Sequence, residues 1–330
     1  MTAPLDVSGT ELEAAPEAVL AGAQGKAIQG RSLGQIAWMR LKRDKVALTG
    51  AGVVIFLILV AVFAPLIVGW LGHPPNDFNQ DLISSETLAP KDGTGIGWDH
   101  LFGVEPVNGR DLFSRIVYGA RISLLIAFLA TLLSVAIGTI LGVMAGYLGG
   151  WVDSVISKAM DVFLAFPLLV FAIALAGIVP DSAFGLSGDA LRVSLLVFII
   201  GFFNWPYIGR IMRGQTLSLR EREFIDAARS LGARGPYIIF REMLPNLMAP
   251  ILIYATLLIP TNIVFEAALS FLGVGVRPPT ATWGGMLSDA VRFYTIPHFM
   301  FFPGMAIFIT VLAFNLLGDG LRDALDPRAR

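Results

Sequence analysis

The sequence predicts an all-α protein that crosses a membrane six times, and three observations carry that expectation. Apolar residues make up 55% of the 330-residue chain and charged residues only 15%, with a mean hydropathy of +0.71. Soluble domains carry about 25% charge. Six apolar runs approach or exceed the ~20 residues that a helix needs to cross the hydrocarbon layer. The arginines between those runs sort to one side, as cytoplasmic loops require.

Residues 1–30 carry Asp6, Glu11, Glu13 and Glu17 among Ala and Pro. Lacking a basic start and an early apolar run, they read as a disordered cytoplasmic tail rather than a signal peptide. The segment 31–118 opens on Arg31, Arg40, Lys42, Arg43 and Lys45. The first span follows at about 46–70, and at 1.5 Å per residue it reaches roughly 37 Å, enough to cross with tilt. The basic cluster places its start in the cytoplasm. The stretch up to 118 is polar and mostly acidic (Asp77, Asp81, Glu86, Asp92, Asp99, Glu105), as an extracytoplasmic loop permits.

The core, 119–318, holds five further spans at about 121–147, 155–179, 191–211, 247–272 and 298–317. A short tail, 319–330, ends the chain. An inside start and six crossings put both termini in the cytoplasm. The loop between the fourth and fifth spans carries Arg213, Arg220, Arg222, Arg229, Arg234 and Arg241, and the tail carries Arg322, Arg328 and Arg330. The loops placed outside carry few basic residues, such as Arg277 and Arg292.

Gly138, Gly142, Gly146 and Gly150 recur every fourth residue and are expected to line one helix face for close backbone packing. Pro167, Pro206 and Pro260 fall inside apolar runs, where each removes a helical hydrogen bond and favours a kink. Ionisable residues are rare within the spans. Asp161 and Asp319 lie near the cytoplasmic edge, whereas Glu266, with Asn262 a turn before it, lies deeper. Intramembrane polar groups usually face a bundle interior or a water-filled cavity. Asn204, Asn262, Glu266 and Asn315 are therefore the candidates for a transport pathway.

The most informative loop is 217–246, LSLREREFIDAARSLGARGPYIIFREMLPN. Ser218 and Glu221 form an S-x-x-E pair, the capping-box pattern for a helix start. Phe224, Ala227, Ala228 and Leu231 follow at helical spacing as an apolar stripe. Gly232 stands where a helix end favours a left-handed residue. Pro236 can open a second short helix, which Pro245 is expected to end. A helix of about 13 residues is marginal alone in water, so this one calls for a partner surface.

Asp226-Ala227-Ala228, Gly232 and Leu244-Pro245 resemble the "EAA" loop of binding-protein-dependent ABC importer permeases, with Asp in place of the first Glu and Glu242 where an apolar residue is usual. NGRDLFSRIVYGARISL (108–124), FLAFP (163–167), EAALSFLGVGVRPPTATWGGML (266–287) and FPGMAIFITVLAFNLLGDGLRDALDPR (302–328) extend the resemblance to the C-type subunit of the oligopeptide/dipeptide/nickel branch. HLFGVEPVNGRD departs from the usual HPFGTDxxGRD in the outside loop. The resemblance implies a type I importer fold in a bacterial cytoplasmic membrane. It implies that Glu223, Asp226, Ala227, Ala228, Leu231, Gly232, Leu244 and Pro245 couple to an ATPase. The implied partners are a B-type permease in a heterodimer, two ABC ATPase subunits that bind ATP and Mg, and an extracytoplasmic solute-binding protein.

The chain itself is expected to hold no cofactor or metal and to catalyse nothing. Gly25-Lys26-Ala27 lacks the rest of a phosphate-binding loop. There are no cysteines, which excludes disulfides and thiolate sites. His73, His100 and His298 are scattered in sequence. A secondary transporter is a weaker reading, because no mirrored pair of interrupted half-spans is present. An intramembrane enzyme would need a reactive cluster that the spans lack. Short peptides are the expected solute and nickel the alternative, since the spans offer apolar wall and sparse amides but few imidazoles.

The arginine sorting makes a direct prediction. In this cysteine-free chain, Thr87→Cys should react with an impermeant maleimide added outside, and Ser230→Cys only after permeabilisation. The reverse labelling pattern would overturn the topology.

Overall fold

The computed structural model describes residues 33–325. The expected 1–30 tail, Arg31, Arg328 and Arg330 lie outside the described residues. Within them, helix α1 (Leu33–Leu41) leads into α2 (Lys45–Val62). Asp44 starts α2, its carboxylate accepting from the Val46 and Ala47 amides at 2.9 and 3.1 Å. Such a cap satisfies donors that the first helical turn leaves orphaned. The first span breaks at Phe63, and a short α3 (Ala64–Leu71) with Pro near its start carries the chain out.

The loop 72–111 is folded rather than loose, and buried charge organises it. Glu105 sits between Arg110, its close partner, and Arg115, whose Nε is 3.0 Å from Glu105 Oε2. Arg115 also donates to the Pro75 and Pro279 carbonyls at 3.3 and 3.1 Å, tying the loop to the outer end of the bundle. Asp111 caps the next helix by accepting from the Ser114 amide at 2.8 Å, and its other oxygen meets His100 Nδ1 at 2.9 Å. His73 and His100, scattered in the sequence, meet with ring centroids 4.6 Å apart and ring planes tilted by 41°. His298 is drawn to the same loop, with Nε2 3.2 Å from the Val104 carbonyl.

Helix α4 (Leu112–Leu148) is the central element, and its main partner is α7 (Gly188–Arg220). Three of the four spaced glycines explain the pairing. A methyl group at Gly138, Gly142 or Gly146 would stand 2.7, 2.5 or 2.8 Å from the carbonyl oxygen of Trp205, Gly209 or Arg213. Only a bare backbone admits α7 this closely. Ser134 adds a hydrogen bond to the Gly201 carbonyl at 2.8 Å. Gly150 departs from the expectation. It begins α5 with φ +56° and nothing near its missing side chain, so it serves the turn after α4 instead of the seam.

The third span, expected as one kinked helix over 155–179, is two helices, α5 (Gly150–Ala165) and α6 (Leu168–Ile178), bent by 79° at Phe166–Pro167. Proline cannot continue the hydrogen-bond ladder and pushes its predecessor toward extended backbone. Pro206 and Pro260, by contrast, lie inside continuous helices. A two-residue-per-strand hairpin, β1 (Ser182–Ala183) with β2 (Leu186–Ser187), joins α6 to α7.

After α7 come α8 (Glu223–Ser230) and α9 (Gly235–Tyr237). A π-helical turn over Ile238–Met243 then runs into α10 (Leu244–Phe271). Helix α11 (Trp283–Val291) packs against α10 and α12, and α12 (Pro297–Leu325) returns to pack on α2 and α10. Among the described residues, five helices are long and apolar enough to cross a membrane, and the bent α5–α6 pair has the combined length and composition for a sixth crossing if it forms one span.

The α4–α7 seam can be tested by volume. Gly142→Ala should destabilise the purified chain by about 1–3 kcal/mol, the usual range for overpacking a close contact. Gly214→Ala, on the open side of α7 with nothing within 4 Å, should leave the melting temperature nearly unchanged. Equal melting of both variants would remove the seam as the packing constraint.

Candidate functional site

The α8 hairpin is built on the end of the α4–α7 seam formed by the C-terminal turns of both helices. Thr216 is fully buried over Gly146, so α7 stays helical through Ser218 to Arg220. The expected capping box at Ser218 and Glu221 is therefore not made. Helix α8 instead starts after Arg222, which is extended and gives no side-chain cap. Its charges still suit the helix dipole, with Glu223 and Asp226 in the first turn and Arg229 in the last. Asp226 and Arg229 pair at 3.0 Å.

The end of α8 follows the sequence closely. Gly232 adopts φ +83°, its amide bonds the Arg229 carbonyl at 2.9 Å, and the Ala233 amide bonds the Ala228 carbonyl at 3.0 Å. These are the two bonds of a Schellman ending, and the left-handed φ makes glycine the favoured residue. No atom crowds the position, so the backbone angle alone sets the requirement.

The expected stripe divides between two faces. Ile225, completely buried, anchors α8 in a cluster with Val143, Ile238, Met243 and Leu247, and Ala228 packs at its margin. Phe224, Ala227 and Leu231 point the other way. Leu231 is 89% exposed and Phe224 41%. An apolar row at i, i+3 and i+7 thus stands exposed on the surface of α8, beside Glu223 and Asp226. Pro245 does not end a second helix. It sits in the first turn of α10, where its missing N–H costs least. Leu244 is half-buried beside it. The hairpin is braced from behind by Arg220, which donates to the Gly146 and Tyr147 carbonyls at 3.5 and 3.4 Å.

The four candidate pathway residues do not share one surface. Asn262, fully buried, donates to Thr131 Oγ1 at 2.8 Å and accepts from Asn204 Nδ2 at 2.9 Å. The three residues tie α4, α7 and α10 together, which satisfies amides that would otherwise be costly in an apolar bundle. Glu266 is also fully buried and accepts from Ser270 Oγ at 2.8 Å. Both therefore face the interior of this chain and line no open passage in this conformation. Asn315 is exposed and borders a pocket of about 330 Å³ between α6, α10 and α12, with Leu169, Pro260, Thr261, Val264 and Val311.

Two ion pairs on the α5–α7 face went unrecognised in the sequence. Arg213 holds Asp153 with Nη2–Oδ2 at 2.6 Å, and Arg210 pairs with Asp161. Asp161, expected at a hydrated edge, has a defined partner. The available signal was two carboxylates and two guanidinium groups of opposite sign near one end of two consecutive spans. Among the described residues, no group of three or more His, Cys, Asp or Glu side chains could hold a metal.

Comparison with known proteins bears on this arrangement. The family described as "Binding-protein-dependent transport system inner membrane component" matches residues 138–330, and "N-terminal TM domain of oligopeptide transport permease C" matches 32–90. The chain is 41% identical over 295 residues to a dipeptide transport system permease protein of Alkalihalophilus pseudofirmus, covering 89% of this chain and 90% of that one. It is 42% identical over 294 residues to a glutathione transport system permease protein of Salmonella typhimurium, with the same coverage. Among solved structures, an inward-facing MetNI methionine ABC transporter matches with a TM-score of 0.54 at 18% identity, over 65% of this chain and 98% of that one. That likeness concerns the fold.

Proposed function

The chain belongs to the inner-membrane permease components of binding-protein-dependent ABC importers, of the oligopeptide/dipeptide C kind, and from that premise we propose that it passes short peptides into the cell when ATPase subunits close on α8. ATP hydrolysis in this family belongs to separate subunits, and the permease moves in response. The single observation that carries the coupling role is the apolar row Phe224, Ala227 and Leu231. It is held outward by a helix whose other face is anchored by Ile225 and whose end is fixed by Gly232. Leu244 and Pro245 belong to the proposed site because they join this hairpin to α10, the helix that would carry its displacement into the bundle. To move a two-state bundle from 1:99 to 99:1 takes about 5.5 kcal/mol of differential binding, so a rigid connection is needed.

In this reading ATP and Mg bind to two ATPase subunits, and the folded loop 72–111 meets the solute-binding protein outside. The α5–α6–α7 face, with its ion pairs and exposed Tyr207, meets a B-type permease. Solute passes between the two permeases, along the α6–α10–α12 pocket where Asn315 is exposed. Asn204 stands at the edge of the buried amide ladder. Asn262 and Glu266 act one layer behind, holding the helices in register. Peptides are favoured over nickel because the relatives are dipeptide and glutathione permeases and because His298, at the outer end of α12, is committed to the Val104 carbonyl.

Two outcomes test this. Ala227→Trp changes an exposed side chain, so the permease pair should still assemble, while ATPase co-purification and transport fall. Normal transport by Ala227→Trp and by Gly232→Val would remove α8 from the coupling role. For the solute, ATP hydrolysis by the reconstituted complex with its binding protein should be stimulated by a mixture of di- to oligopeptides. Stimulation by nickel or a metal chelate alone would overturn the peptide assignment.

A further inference from the structure

The spans present two kinds of open face. On α5 and α7 two ion pairs form, Arg210 with Asp161 and Arg213 with Asp153. On the opposite side, α2 exposes Ile55, Phe56 and Leu59, and α4 exposes Leu125, Phe128 and Leu132, all apolar. One charge interrupts that apolar face. Arg121 is exposed on α4 and, among the described residues, makes no hydrogen bond or ion pair.

Arg121 stands at the outer end of a groove of about 690 Å³ between α2 and α4, floored by Ile259 of α10 and Phe314 of α12. Ile58, Val62, Leu125 and Phe128 form its walls. The depth of the cation can be read from its neighbours. Ala120 packs in one cluster with Ala61 of α2, and the chain continues outward through α3 to Trp70, which is 87% exposed. An indole belongs at the membrane–water interface, so Arg121 lies inward of that boundary. A guanidinium there needs an anion or a snorkelled route to water.

We propose that this groove binds one phospholipid from the leaflet on the side of the 72–111 loop, with its phosphate paired to Arg121 and an acyl chain lying along the apolar wall. The charge complementarity is specific. Planar guanidinium matches phosphate with paired, charge-assisted hydrogen bonds, and the four-helix wall below it offers no polar partner for anything but hydrocarbon. Basic pockets between spanning helices on the cytoplasmic side hold anionic lipid headgroups, and the same cation–phosphate pairing is available here. The bound lipid would fill the cleft between α2 and the α4–α10 core, joining the first span to the bundle.

The test is native mass spectrometry of the whole transporter complex released from nanodiscs, counting retained phospholipid. The native complex should keep one lipid per copy of this chain. Arg121→Gln should lower lipid affinity roughly 10- to 100-fold, as expected for losing hydrogen bonds to a charged group, and Arg121→Lys should recover part of it. Val62→Trp, which fills the groove and leaves the cation, should also lose the lipid. Nanodiscs of phosphatidylglycerol or phosphatidylcholine separate a requirement for net negative charge from recognition of the phosphate alone, and retention in either supports the site. Lipid counts unchanged in Arg121→Gln and Val62→Trp would overturn the proposal. So would a cysteine at Leu125 that cross-links to the second permease, since the groove would then be a protein interface.

Discussion

The approach of α4 to α7 through Gly138, Gly142 and Gly146 is the constraint on which the rest of this fold depends. It brings the two backbones close enough for the Gly209 carbonyl to lie where a side chain would otherwise stand. Three consequences follow from that one contact. Thr131 and Asn204 come within reach of Asn262, so three helices share one buried amide ladder. Thr216 seats over Gly146 and extends α7 by a full turn at the inner surface. The chain then turns where Ile225 can reach Val143 of α4, which sets the position of α8. The small-residue seam thus governs both the register of the bundle and the placement of the hairpin proposed to receive the ATPase.

A membrane protein has little hydrophobic drive between its own helices, because lipid is as apolar as leucine. Polar content is then the better guide to what each face meets. The paired charges on α5 and α7 suit water or protein. The apolar face of α2 and α4 suits acyl chains, and the unpaired Arg121 is the charge on it proposed to meet a lipid phosphate. The outer loop follows the same logic at its own scale. Buried Glu105 with Arg110 and Arg115 supplements the loop's few buried apolar side chains, such as Ile83 and Val104.

Much of this was legible in the sequence because it rests on local physics. Span positions follow from apolar length, a bend at Pro167 (though not its full break into two helices) from proline chemistry, and the left-handed Gly232 from the needs of a helix end. What was hidden depends on contacts distant in sequence. The capping-box pattern at Ser218 and Glu221 is valid locally, yet Thr216 packing on Gly146 keeps that stretch inside α7. Ile225 looked incidental beside the Phe224–Leu231 stripe, because only the hairpin's fold against α4 and α10 decides which side of α8 is inside. Pro245 read as a stop, but the π-helical turn ahead of it delivers the chain so that the same proline starts α10. His73 and His100, 27 positions apart in the numbering, meet because of the loop's ion cluster. Asn262 and Glu266 were recognised as unusual for their depth, while their partners on other helices had no signal in a single sequence.

The central claim is that the outward face of α8 is the contact through which ATPase closure reaches the bundle. Its most direct test is photo-cross-linking from a benzoylphenylalanine placed at Leu231, which is 89% exposed and touches nothing in this chain's core. In membranes containing the whole transporter, the account predicts an adduct with an ATPase subunit whose yield changes between nucleotide-free and ATP-bound states. An adduct only with lipid or with the second permease, unaffected by nucleotide, would contradict it.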